Sequence, residues 1–210
     1  MGENNEEYLK SIFECFKKLD YIDPDEIPNI DLYMDQVTTF MDEHLQASKR
    51  YNEDKLLTKT MINNYTKNNL LPSPNKKKYS KEHMLLLIFI YYFKNILSIS
   101  DIQSIFQPLT EKYYGGKSAV GLETIYKEVF KNQNDQMDAL VKDVIRKYNK
   151  SREAFKDVSP EEDREFLNTF SFICMLSFDV YIKKQMIEKI IDDTLTKKVP
   201  NGKKKEKEDK

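Results

Sequence analysis

A run of ten consecutive apolar residues, Met84–Phe93, constrains the fold of this 210-residue chain more than any other feature. The run is about half as long as the roughly 20 residues that a membrane-spanning helix needs, so we expect no transmembrane helix. Ser80 is a suitable N-cap for a helix that runs to about Ile96. Because nearly every position of that helix is apolar, it must be buried on most sides by other elements.

Apolar residues at steps of three and four predict further helices on both sides of this central one. Before the central helix we predict an acidic helix ending near Asp20, a second helix over Leu32–Leu45, and a third over Leu56–Asn69 with Thr58 as its cap. After it we predict a short helix from a capping box at Ser100–Gln103 to about Phe106. Two long helices follow, Leu122–Tyr148 and Phe166–Ile191, the second after a Ser159-Pro160 start. A two-stranded turn is possible around residues 73–79. With 5 Gly and 7 Pro, the chain is poorly suited to a many-stranded β protein. We predict an all-α fold with at most a small two-stranded wing.

Proline and glycine positions, together with shifts in composition, divide the chain into four parts. The predicted parts are an acidic arm over residues 1–30, a helical domain over 31–110, a second helical domain over 111–198, and a disordered charged tail over 199–210. Gly115-Gly116 breaks the chain near the start of the second domain. Its two long amphipathic helices predict a hairpin, which packs on the first domain or supplies a dimer interface.

The formal net charge of −1 conceals a strong separation of charge along the chain. Residues 1–48 contain 3 basic and 12 acidic residues, whereas residues 49–94 contain 10 basic and 3 acidic residues. A folded basic segment is typical of proteins that bind a phosphate backbone. The alternative is a solvated face whose charge is offset by the acidic arm.

Residues with catalytic or metal-binding chemistry are few. His44 and His83 have no nucleophile, cysteine or carboxylate at a catalytic or metal-ligating spacing. Cys15 and Cys174 lie far apart in helical patterns, so we expect free thiols and a reducing, cytoplasmic setting. The N-terminus has no signal-peptide layout. We therefore expect a protein that is not an enzyme and that holds neither a metal nor a cofactor.

Four short motifs in the first helical domain occur in a characteristic order. They are Leu57–Tyr65, Asn69-Leu70-Leu71-Pro72, Tyr79-Ser80-Lys81-Glu82 and Ser98–Ile102. This order resembles the winged helix-turn-helix of the MerR family of transcription regulators, in which a recognition helix ends in a Gly-Leu-Leu-Pro-like turn and a wing follows. Residues 30–110 also closely resemble a family of uncharacterised bacterial proteins, domain of unknown function 1836, which is itself considered MerR-like.

The resemblance implies a recognition helix over residues 58–69 and a DNA-contacting wing over residues 73–79. It also implies a dimer, because a two-fold protein reads a two-fold operator. The chain departs from the MerR pattern at two points. Asn63 and Asn64 stand where MerR proteins usually have Arg and Tyr, and the wing is shorter and lacks the usual Gly-Tyr-Arg.

Helix geometry independently groups polar residues of the predicted recognition helix. Lys59, Asn63 and Lys67 are spaced i, i+4 and i+8, with Thr60 and Asn64 beside them. Asn pairs with adenine through two hydrogen bonds, and Lys and Thr bind phosphates or base edges. The alternative is that this face is merely the wet side of a helix.

The loop after this helix carries the rest of the predicted site. Lys76, Lys77 and Lys78 follow Pro72 and Pro74 and are placed to bind phosphate, unless they form only a solvated turn. Tyr79 either anchors the loop or packs on sugar. Our first hypothesis is therefore a homodimeric transcription regulator that binds double-stranded DNA, with an effector that the sequence does not identify. The alternative is a non-enzymatic protein-interaction module that uses the helical hairpin and the acidic arm.

Overall fold

The computed structural model describes residues 2–17, 22–131 and 133–196. Within these ranges it contains eight α-helices and one two-stranded sheet, which confirms the predicted all-α class. The elements in chain order are α1 Gly2–Lys17, β1 Leu32–Tyr33, α2 Met34–His44, α3 Lys59–Lys67, β2 Lys78–Tyr79, α4 Lys81–Phe93, α5 Ile99–Tyr113, α6 Leu122–Phe130, α7 Gln133–Glu153 and α8 Glu161–Thr194. The predicted tail, residues 199–210, and Asp20 lie outside the described residues.

Helix α4 is the centre of the first hydrophobic core, as its sequence predicts. Every residue from His83 to Tyr91 is buried. Residues from α2, α3, α5 and α6 pack around it, and these include Met41, Ile62, Phe106 and Tyr126. Apolar side chains of the surrounding helices therefore shield α4 from solvent, as its almost entirely apolar sequence requires.

The small sheet joins two segments that are far apart in the sequence. β1 and β2 pair antiparallel, with Leu32 opposite Tyr79 and Tyr33 opposite Lys78. A tight turn at Asn75–Lys78 precedes β2 and matches the predicted turn. The partner of β2, however, is the residue pair just before α2. This pairing holds the loop after α3 against the start of α2.

Helix α5 begins earlier and ends later than predicted. Its N-cap is Ser98 and not Ser100, because the Ser98 hydroxyl accepts from the Asp101 amide at 3.2 Å while the Asp101 carboxylate accepts from the Ser98 amide, also at 3.2 Å. Pro108 lies inside the helix. The helix continues past it because Leu109 and Tyr113 pack against the first core.

The predicted long helix Leu122–Tyr148 is instead two helices, α6 and α7, because the two halves pack in different places. Tyr126 of α6 is buried in the first core, where its hydroxyl donates to the Ile22 carbonyl at 2.9 Å. Val144 and Tyr148 of α7 pack on α8 in a second cluster. Apart from Ile191 of α8, the buried residues of the first core lie between Ile22 and Tyr126, beyond the predicted boundaries at residues 30 and 110.

The second cluster joins α1 to the hairpin of α7 and α8. Leu9 and Phe13 of α1 pack against Val144, Tyr148 and Phe172. Within the acidic arm, α1 thus packs its apolar side on the hairpin, whereas Ile22 and Ile27 belong to the first core.

One contact joins the two helices of the hairpin, and another holds the hairpin on the first core. Lys147 of α7 makes ion pairs with Asp143 of its own helix and with Asp179 of α8. Near the other end of α8, Ile191 is buried in the first core. The residue at the N-cap position of α8 is Pro160 and not Ser159, and it makes no side-chain capping bond.

By length and composition, α8 is apolar enough to cross a membrane. An 18-residue window of it has a mean hydropathy of 1.2, and 11% of that window is buried. The length of uninterrupted apolar runs predicted no membrane-spanning helix. This criterion overlooked α8, because isolated polar residues divide its apolar segments. Its ion pair with the polar helix α7 places one of its faces against protein.

Candidate nucleic-acid interface

Helix α3 presents one polar face to solvent and one apolar face to the core. Ile62 and Tyr65 are buried, and Met61 is partly buried against the same cluster. The five predicted contact residues of this helix are all exposed: Lys59, Thr60, Asn63, Asn64 and Lys67. The polar face is therefore open over the whole length of the helix.

Both ends of α3 are fixed by local hydrogen bonds. At the start, the Thr58 hydroxyl accepts from the Met61 amide at 3.2 Å, as predicted for an N-cap. At the end, Asn69 takes a left-handed conformation with φ of 56°, and the Leu70 amide donates to the Tyr65 carbonyl at 2.9 Å. Asn tolerates this conformation better than most residues. The turn then directs Leu70 and Leu71 into the core.

The wing is a hairpin turn whose tip consists of two lysines. The Lys78 amide donates to the Asn75 carbonyl at 2.9 Å, and the Asn75 amide donates to the Lys78 carbonyl at 3.1 Å. Lys76 and Lys77 between them are exposed, with φ of 48° and 65°. Two central residues with positive φ are typical of a type I′ hairpin turn. Both ammonium groups are therefore carried on a short loop held by β2.

Tyr33 is a candidate contact residue that sequence reasoning missed. Its ring is 54% exposed, and the Lys78 ammonium lies 5.1 Å from the ring centroid, in cation–π geometry. The strand register, which sets Tyr33 opposite Lys78, creates this contact. No local pattern in the sequence signals it, because the two residues are 45 positions apart.

Tyr79 is placed differently from the other predicted contact residues. It is 3% exposed, and its ring meets the His83 ring edge-on at a centroid distance of 5.4 Å. Of its two predicted roles, anchoring of the loop fits this position. Packing on a sugar is wrong, because the ring is covered by the protein's own core.

His83 is buried beside Tyr79 and has a structural environment. Its Nδ1 accepts from the Ser80 amide at 2.9 Å, and the Tyr114 hydroxyl lies 3.0 Å from its Nε2. Burial lowers the pKa of His83 below its ordinary value, although hydrogen bonds to the backbone at Ser73 and Pro72 and the charge of Asp31 act in the opposite direction. A neutral imidazole thus fixes the start of α4 next to the wing.

The lysines of the predicted site differ in whether they already make an ion pair within the protein. Lys59 makes an ion pair with Asp35 in the first turn of α2. Lys67, Lys76 and Lys77 have no ion pair with any residue that the structure describes. These three exposed lysines are therefore the ones available to an anionic partner without first breaking a contact.

Contacts join the start of α3 to the wing along one edge of the molecule. Lys59 contacts Asp35, Asp35 lies two residues after Tyr33, and Tyr33 contacts Lys78 of β2. The helix face and the wing thus border the same end of α2. This edge joins Lys59 and Lys78, two of the residues that we predicted as one site, through the segment Tyr33–Asp35.

Elsewhere in the described residues, the candidates for a metal site or a ligand-binding cavity are weaker. No group of three or more His, Cys, Asp or Glu residues is arranged to hold a metal ion in the described ranges. A cavity of about 260 Å³ lies between α1, α7 and α8, lined by Tyr8, Tyr148, Ser151 and Asn168 among others. The buried Asn168 Oδ1 has no hydrogen-bond partner there.

Comparison with protein families gives a match over about half of the chain. A protein-family model described as Domain of unknown function (DUF1836) matches residues 22–130, just over half of the chain. This range contains the buried residues of the first core except Ile191. No curated protein and no solved structure matches the chain.

Proposed function

The chain belongs to the DUF1836 family, a family defined as a domain of unknown function, and we propose that it is a non-enzymatic regulator that binds double-stranded DNA. In this proposal α3 enters the major groove and the wing binds backbone phosphate. The observation that carries the proposal is a pair of contacts at the start of α2, where Lys59 of the exposed α3 face pairs with Asp35 and Lys78 at the base of the wing contacts Tyr33.

The dimensions of α3 suit a major groove. From Lys59 to Lys67 the helix rises about 12 Å at 1.5 Å per residue, and the groove of B-form DNA is about 12 Å wide. Asn63 and Asn64 lie in the middle of the exposed face, where their amides can pair with adenine. In this proposal Lys67, exposed at the end of the helix, binds phosphate.

The order of elements supports a winged helix-turn-helix of the MerR type. In this interpretation α2 and α3 form the helix-turn-helix, α3 is the recognition helix, and the Asn75–Lys78 hairpin is the wing. Pairing of β1 with β2 fixes the wing relative to α2. Tyr33, exposed beside Lys78, adds an aromatic ring for contact with a sugar.

Salt dependence of binding tests the proposal. Fluorescence anisotropy with a random-sequence 30-base-pair duplex should show log K falling with log salt at a slope of roughly −4 to −5 per subunit, since Lys59, Lys67 and Lys76–Lys78 neutralise about five phosphates. The triple variant Lys67→Gln/Lys76→Gln/Lys77→Gln should reduce that slope by about 3 units.

The matched control removes three exposed lysines elsewhere: Lys142→Gln/Lys150→Gln/Lys156→Gln. This variant has the same net charge as the first and should keep the wild-type slope. An equal loss of slope in both variants, or no binding by the wild type at 50 mM salt, would overturn the proposal.

The roles of the helix and the wing are separable by selection from a random DNA library. Asn63→Ala/Asn64→Ala should relax sequence preference, because these amides are assigned to base edges. Lys76→Gln/Lys77→Gln should weaken binding to all sequences alike, because these groups are assigned to phosphate. The opposite pattern would contradict the role assignment.

One observation favours the alternative of a protein-interaction module. Large apolar side chains of α8 are exposed, among them Phe166, Phe170 and Phe178. If the protein has no affinity for duplex DNA at low salt, this exposed apolar surface would fit that alternative better.

A further inference from the structure

The cavity between α1, α7 and α8 combines polar side chains with aromatic rings. Arg152 of α7 lines it together with Glu165 and Asn168 of α8. At about 260 Å³ it is slightly smaller than the sites that hold drug-sized ligands, so its size suits a small metabolite. Its lining residues all lie outside residues 22–130, the range that the family model matches. The cavity is therefore a feature of this chain beyond that domain.

Asn168 is a buried polar residue that lacks a normal partner. It is 3% exposed, and its Oδ1 accepts no hydrogen bond from the part of the chain that the structure describes. Burial of an acceptor lowers the stability of the folded protein unless a donor replaces the water that the acceptor has lost. Because Asn168 lines the cavity, a donor group of a ligand can supply the missing bond after a small rotation of the amide.

Two opposite charges line the same cavity without being paired. Arg152 and Glu165 are both exposed, and neither makes an ion pair with the other or with any further residue in the described ranges. A guanidinium group binds a carboxylate through two parallel hydrogen bonds, and a carboxylate accepts short, strong hydrogen bonds from an ammonium group. A ligand that carries one charge of each sign therefore matches this pair.

Three aromatic rings complete the lining. The centroid of the Tyr148 ring lies 6.3 Å from that of Tyr8 and 5.4 Å from that of Phe172, and all three residues border the cavity. Aromatic rings attract ammonium groups and also pack against apolar side chains. Together with the Glu165 carboxylate, the rings favour a ligand with an ammonium group and an apolar side chain over a multiply charged anion such as a phosphate.

We propose that this cavity binds a free α-amino acid with an apolar side chain. Arg152 holds the carboxylate of the amino acid, while Glu165 and the Asn168 Oδ1 accept hydrogen bonds from its ammonium group. An ammonium group has three donors, which is enough for both acceptors. The side chain of the amino acid packs against the three rings. The proposal does not rest on DNA binding, because none of these residues belongs to α3 or the wing.

Calorimetric titration of the full chain without DNA tests the site. L-Phenylalanine, L-leucine and L-methionine are the probes, and at least one of them should bind with a Kd below about 1 mM. For the tightest of the three, the analogues that lack the carboxylate or the ammonium group should bind at least about 10-fold more weakly. For phenylalanine these analogues are phenethylamine and 3-phenylpropionate.

Substitutions of the two charged residues assign their roles. Arg152→Gln should remove the preference for the amino acid over its amine analogue, because the carboxylate loses its partner. Glu165→Gln should remove the preference over the analogue without the ammonium group. The matched controls Lys150→Gln and Glu162→Gln change exposed charges of the same two helices outside the lining, and they should retain both preferences.

Asn168→Leu distinguishes an amide that binds a ligand from one that only supports the fold. The variant should bind the amino acid at least about 10-fold more weakly, whereas the Tm of the unliganded protein should stay the same or rise, because the unpartnered oxygen is gone. A lower Tm or unchanged binding would overturn the role assigned to Asn168.

Three results would overturn the amino-acid site as a whole. The first is the absence of binding by all three amino acids at about 5 mM. The second is an analogue, without the carboxylate or without the ammonium group, that binds as tightly as the amino acid. The third is a control variant that loses a preference as fully as Arg152→Gln or Glu165→Gln does. None of these results depends on whether the protein binds DNA.

Discussion

Two lysines at the tip of the wing have a backbone conformation that lysine seldom adopts. Lys76 and Lys77 lie in the left-handed region with φ of 48° and 65°. Hairpin turns of this type normally contain Asn and Gly, which reach positive φ with little strain. The chain thus places two positive charges where backbone energetics favour other residues, and strained positions of this kind cluster at functional sites.

Replacement of Lys77 by Gly should separate stability from binding. Lys77→Gly removes left-handed strain and should raise the free energy of unfolding by about 0.5–1 kcal/mol, measured by urea denaturation. The same change removes one phosphate contact and should weaken DNA binding in the anisotropy assay. Lys142→Gly, inside α7, should instead lower stability, because Gly is unfavourable in a helix. A destabilised Lys77→Gly protein would contradict the strain argument.

Protonation of His83 should make stability depend on pH. Burial lowers the pKa of His83 in the folded protein, so between this value and about 6.5 the unfolded chain binds more protons than the folded chain. Stability should therefore fall as pH decreases from about 6.5 and should stop falling once pH passes below the folded pKa. Urea denaturation between pH 8 and pH 5 measures this effect.

Two variants isolate the contribution of His83 to this pH dependence. His83→Gln should reduce the difference in stability between pH 7 and pH 5, because the titrating group is gone. His44→Gln, which changes the other histidine of the chain, should retain most of the difference. An unchanged pH dependence in His83→Gln would contradict the assignment to His83.

At the scale of single elements, the start of α3 depends on one hydroxyl. Thr58→Ala removes the acceptor of the Met61 amide and should lower the free energy of unfolding by about 1 kcal/mol. Thr58→Ser keeps the acceptor and should be close to wild type. Urea denaturation compares the three proteins, and equal stability of the alanine and serine variants would show that the cap contributes nothing.

At the scale of the whole molecule, Ile191 links the hairpin to the first core. Ile191 is 2% exposed among residues of that core, whereas its neighbour Ile190 is 58% exposed. Ile191→Ala should cost about 2–4 kcal/mol of unfolding free energy, while Ile190→Ala should cost less than about 0.5 kcal/mol. Thermal and urea unfolding measure both, and a small effect of Ile191→Ala would show that the hairpin is not held by this contact.

Local sequence signals predicted the elements whose formation depends on neighbouring residues. The apolar run in α4 predicted a buried central helix, and Thr58 predicted the start of α3. The spacing of Lys59, Asn63 and Lys67 predicted an exposed polar face. Predictions failed where packing overrode a local signal. α5 continues past Pro108 because residues beyond it are covered by the core.

The sequence alone determined the helical class, the central place of α4 and the polar face of α3, because caps and apolar periodicity act over a few residues. Only the tertiary structure decided that β2 pairs with β1, that Tyr33 lies against Lys78 and that Tyr79 is buried. It also decided the division between α6 and α7. Each of these features depends on contacts between segments that are distant in the chain, and such contacts leave no periodic signal in either segment.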